Sequence, residues 1–92
     1  MADSIFLEIV IPQGLVPFQR HMIEDALEQA FDDERLGEMM GGGGADNACD
    51  IAVQVNDLEH GLEVIRRVLK EAAVPSDTII NQYEPKKAVY RL

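Results

Sequence analysis

Residues 4–11 read Ser-Ile-Phe-Leu-Glu-Ile-Val-Ile, which places Ile5, Leu7, Ile9 and Ile11 on one face of a strand. The opposite face carries Phe6, Glu8 and Val10, so the strand is apolar on both sides and suits the middle of a sheet. Residues 12–17 read as a loop, and Pro17 fits the first position of a helix because it lacks an N–H that would be unpaired there. Over residues 17–34 the period changes to that of a helix. Met22, Ile23, Ala26, Leu27, Ala30 and Phe31 form an apolar stripe, and His21, Glu24, Asp25, Glu28 and Asp32 gather opposite it. Residues 35–41 predict a short strand and residues 48–55 a clearer one, in which Cys49, Ile51, Val53 and Val55 alternate with Asp50, Ala52 and Gln54. Between them Gly41, Gly42, Gly43 and Gly44 read as a flexible hairpin loop running through residue 47.

A second helix begins with a capping-box pattern, Asn56 as N-cap and Glu59 three residues on. Leu58, Leu62, Ile65, Leu69 and Ala72 form its apolar stripe, Glu63 and Arg67 stand at i,i+4, and Pro75 ends it. Residues 78–83 predict a strand, residues 84–87 a turn, and residues 88–92 leave room for a further short C-terminal strand. The order β-α-β-β-α-β predicts an α+β domain of ferredoxin-like type, an antiparallel sheet with two helices on one face. Right-handed crossovers would bring strands 4–11 and 48–55 together in the middle.

Four runs carry a resemblance: Asp50-Ile-Ala-Val-Gln-Val, Asp57-Leu-Glu, Ile65-Arg-Arg-Val-Leu and Pro75-Ser-Asp-Thr-Ile-Ile. Over residues 38–92 the chain resembles small bacterial single-domain proteins of unknown function. The resemblance implies a bacterial α+β domain and supplies no functional residue.

With 92 residues, 47% of them hydrophobic, residues 1–92 suit a single domain with one core and no need of a metal to fold. The single cysteine, Cys49, excludes an internal disulfide and fits a reducing compartment. No segment has the ~20 apolar residues of a membrane span, and the first residues lack the basic start of a signal peptide. A cytoplasmic protein is the expectation. The net charge of −9 is unevenly spread. Residues 1–60 hold thirteen acidic side chains against Arg20 and Arg35, whereas residues 61–92 hold four against six basic ones. An acidic majority repels phosphates, which argues against nucleic acid or an anionic membrane and for a basic protein surface as partner.

Candidate chemistry is sparse. The glycines lack the following helix and lysine of a phosphate cradle. Cys49 shares a face with Ile51, Val53 and Val55, as a small core residue would. His21 and Asp25 supply two metal ligands at i,i+4 with no third or fourth specified. No catalytic residue, metal site or cofactor is therefore expected. The strongest signal is the acidic row Glu24, Asp25, Glu28 and Asp32, which reads either as a solvating helix face or as a docking surface for a basic partner. Phe6, Val10 and Ala52, set among Glu8, Asp50 and Gln54, predict a modest mixed patch on the outer sheet face that permits a homodimer without demanding one. The leading expectation is a non-enzymatic interaction or regulatory domain. The alternative is a dimeric small-molecule-binding or sensor domain.

Overall fold

The structure, a computed structural model, describes residues 5–12, 17–45, 48–84 and 86–92. Seven elements follow in the order β1 (Ile5–Ile11), α1 (Pro17–Glu34), β2 (Gly37–Ala45), β3 (Ala48–Val55), α2 (Leu58–Glu71), β4 (Ile79–Glu84) and β5 (Ala88–Arg91). The strands form a five-stranded sheet in the order β2-β3-β1-β4-β5, every neighbouring pair antiparallel. The chain is thus an α+β protein, and the short terminal strand expected over residues 88–92 is present as β5. Ser4, residues 13–16, Asp46, Asn47 and Pro85 lie outside the described residues.

Alternation in β1 sorts its side chains as the sequence suggested. Leu7, Ile9 and Ile11 are fully buried, while Phe6, Glu8 and Val10 are half-buried on the outer face. β1 lies at the centre, paired with β3 from Ile5↔Val55 to Ile11↔Cys49 and with β4 from Phe6↔Glu84 to Val10↔Ile79. Cys49, Ile51, Val53, Val55 and Ile80 complete the sheet's inner surface. Both helices cover that surface, with Ile23, Leu27 and Phe31 coming from α1 and Leu62, Val64, Ile65, Val68 and Leu69 from α2. One core results, and the other sheet face is left uncovered by helix.

Four local expectations require correction. The apolar stripe of α1 is narrower than its sequence suggested, because Met22 and Ala26 are exposed and only the i, i+4, i+8 row Ile23-Leu27-Phe31 is buried. α2 is capped by Asp57, whose Oδ1 accepts from the His60 N–H at 2.9 Å. Asn56 instead braces the end of α1: its Nδ2 donates to the Arg35 carbonyl, and its backbone N–H donates to Leu36, both at 2.8 Å. The expected Glu63–Arg67 pair is replaced by a bond from Arg67 to Glu34 at 3.1 Å. The last correction is the largest. Gly41, Gly42, Gly43 and Gly44 are not a hairpin loop but part of β2, opposite Ala52, Ile51, Asp50 and Cys49. Backbone ladder bonds need no side chain, so the well-formed β3 templates a partner of low intrinsic strand preference.

Two glycines in β2 have a steric reason. A Cβ on Gly37 would collide with the Gln54 carbonyl, so only glycine permits this close approach. The β2–β3 register shifts between Met39 and Gly41, and Gly41 has φ +132°, a bulge conformation that glycine adopts without penalty.

Candidate functional site

The four acidic residues of α1 do not form a uniform row. Glu24 is engaged within its own helix: Arg20 Nε stands 3.6 Å away and His21 Nδ1 3.7 Å away, and its side chain is only 22% exposed. Asp25, Glu28 and Asp32 are exposed. The fold adds a residue that the helical period does not reveal. α1 turns at Arg35, whose positive φ of 52° lets the Leu36 N–H reach the Phe31 carbonyl at 2.9 Å. The turn sends β2 back beside the helix, so Glu38 and Met39 join Glu28 and Asp32 around a cleft of about 350 Å³ floored by Gly37. Glu38 could have been suspected only from the strand-after-helix order, because in sequence it is an isolated acid between Gly37 and two methionines.

Further along α1 the negative charge is neutralised. Glu34 Oε1 lies 2.5 Å from His60 Nε2, and its Oε2 accepts from Arg67 at 3.1 Å. These bonds, Arg67 first and His60 second, hold the Glu34 carboxyl below its ordinary pKa. The cluster ties α1 to α2 and leaves no free charge for a ligand. Beyond it, Arg66, Arg67 and Lys70 line an open groove of about 450 Å³ together with Glu59 and Glu63. Acidic character thus gathers beside β2, whereas the groove along α2 mixes both signs of charge.

The outer sheet face carries Phe6, Val10 and Ala52, all half-buried, as the alternation suggested. They are interrupted by Glu8, which stands opposite both Ala52 and Asn81. Tyr83 joins them from β4. Its hydroxyl donates to Glu8 Oε1 at 2.7 Å, and its ring lies 6.2 Å from that of Phe6 at an interplanar angle of 53°. The Glu8 bond holds the Tyr83 phenol above its ordinary pKa, because ionisation would set two negative charges together. Val89, paired with Asn81, is 65% exposed on this face.

Cys49 is buried, and burial pushes its thiol pKa up, away from the reactive thiolate. Among the described residues no three His, Cys, Asp or Glu side chains are grouped to hold a metal ion, and no helix is long and apolar enough to cross a membrane. No family model, no curated protein and no solved structure matches the chain. The functional reading therefore rests on geometry alone.

Proposed function

We propose that the chain is a non-enzymatic interaction domain that binds a protein partner with a basic surface through the acidic side shared by α1 and β2. The observation that carries this reading is the gathering of Glu28, Asp32 and Glu38 around one exposed cleft, with Asp25 on the adjoining helix surface. No ion pair among the described residues engages these four carboxylates. Like charges held together cost stability, and a basic partner relieves that cost on docking. The strand order, with β5 added beside β4, supports reading the fold as ferredoxin-like. A buried, unpaired Cys49 fits a cytoplasmic setting.

The test is kinetic. With a partner isolated by affinity capture and purified, the triple variant Glu28→Gln, Asp32→Gln, Glu38→Gln should associate about tenfold more slowly and lose most of its salt dependence. Glu24→Gln, already neutralised by Arg20, should behave like the parent. Unchanged association of the triple variant at low salt would refute the reading.

A second reading, a homodimeric sensor-type domain closing over the outer sheet face, draws on the exposure of Val89 and Tyr83 beside Phe6, Val10 and Ala52.

A further inference from the structure

We infer that β2 is a receiving edge for an extended basic segment of a partner protein, which adds to the sheet as a sixth strand alongside Gly37–Ala45. The inference rests on the acidic docking reading above and specifies how the partner is held.

An edge strand offers a row of backbone N–H and C=O groups with no neighbour, and proteins normally blunt such an edge with charged side chains, proline, bulges or short length. The two edges of this sheet are treated differently. β5 is four residues long, ends in Arg91 and follows Lys86 and Lys87. β2 is nine residues long and, among the described residues, pairs only with β3. Its only charged residue is Glu38, and its single interruption is the bulge between Met39 and Gly41. Gly41, Gly42, Gly43 and Gly44 contribute no side chain of their own to blunt the edge. The longer edge is the less protected one.

Charge selects the occupant. An added strand would project alternate side chains to the two sheet faces. Those on the helix side would enter the cleft lined by Glu28 and Asp32. Those on the outer side would pass Glu38 and, across Gly43, reach toward Asp50, which Gly43 opposes in the ladder. The glycines of β2 place no side chain of their own between such a strand and Asp50. A second copy of this chain pairing through its own β2 would instead bring Glu28, Asp32 and Glu38 against their equivalents, the repulsive arrangement. Main-chain bonds would give the complex its affinity and the carboxylates its preference for a basic strand.

The probe is a twelve-residue peptide of three Lys-Lys-Thr-Thr repeats, which carries lysine on both faces when extended. Its control is the same sequence N-methylated along the backbone, which keeps the charge but has no N–H to donate and a methyl in the way of the ladder. Titration of the whole chain at low salt, read by calorimetry and amide exchange, should show binding of the first peptide with new protection of β2 amides. The N-methylated peptide should bind at least about tenfold more weakly, the loss of one or two net hydrogen bonds. Equal binding of both peptides, abolished by the Glu28, Asp32 and Glu38 triple variant, would overturn strand addition and leave acidic docking standing. Binding of neither would overturn both. Protection of β2 amides that rises with protein concentration in the absence of peptide would make a second copy the occupant and overturn the inference.

Discussion

At Ala73, one residue past the C-cap of α2, the backbone takes φ +57° so that the Val74 N–H can reach the Leu69 carbonyl at 3.3 Å. Alanine occupies that left-handed region at a cost that glycine avoids. Ala73→Gly should therefore raise unfolding stability by roughly 0.5–1 kcal/mol in a denaturant titration. Thr78 presents the complementary case. It is fully buried, its N–H donates to the Pro75 carbonyl at 3.1 Å, and its hydroxyl finds no partner among the described residues. Replacing that hydroxyl by a methyl of the same shape, Thr78→Val, should stabilise the protein by about 1 kcal/mol. Glu34 sets a pH dependence. Its folded pKa lies below the ordinary 4.5, so its contribution is present above that value and is lost as pH falls through the folded pKa. The stability difference between the parent and Glu34→Gln should accordingly shrink on acidification from pH 6 to below the Glu34 folded pKa. A constant difference across that range would show that the Arg67 and His60 contacts do not favour the charged carboxylate.

Elements differed in how legible they were, and the reason lies in what each side chain declares. β1, β3 and α2 bury continuous apolar faces, so Leu7, Ile9, Ile51, Val53, Leu62 and Ile65 identify their inward sides by spacing alone. β2 is half legible: the short strand expected over residues 35–41 overlaps its first residues. Beyond Gly41 its strand state is imposed by β3, and a run of four glycines carries no pattern from which that could be read. The same blindness hid Glu38 from the acidic site, because neighbours across an α1–β2 turn are not neighbours in any helical or strand period. The cap of α2 was ambiguous for a simpler reason: Asn56 and Asp57 are both good N-caps, and only the demand of the Arg35 carbonyl for a donor assigns Asn56 elsewhere. Two measurements check β2 as a strand. Gly37→Ala should destabilise the protein by roughly 1–3 kcal/mol, since the added methyl must displace the Gln54 backbone. Amide exchange should show protection alternating along Gly41, Gly42, Gly43 and Gly44, slow where the N–H faces β3 and fast where it faces outward. Uniformly rapid exchange would restore the flexible-loop expectation.

At the scale of the molecule, two candidate surfaces respond to salt with opposite signs, which allows them to be separated. A basic partner docking on the α1–β2 side, as proposed, would bind less tightly as ions screen the attraction. The outer sheet face, if it joins a second copy, brings together two chains that each carry a net charge of −9. It also places Glu8 and Asp50, with Gln54 and Asn81, among Phe6, Val10, Ala52 and Val89 in a mixed contact. Screening weakens that repulsion while leaving the burial of apolar surface in force. The dimer fraction should therefore rise between about 20 and 300 mM salt, as the screening length falls from roughly 20 Å to below 10 Å. Light scattering at tens of micromolar protein reads this directly. Phe6→Glu, which adds a further carboxylate to the face, should hold the protein monomeric throughout the range while leaving the binding of a basic partner intact. Persistence of monomer at high salt in the parent chain would remove the outer face as a dimer interface and leave the acidic α1–β2 side as the surface through which this protein makes contacts.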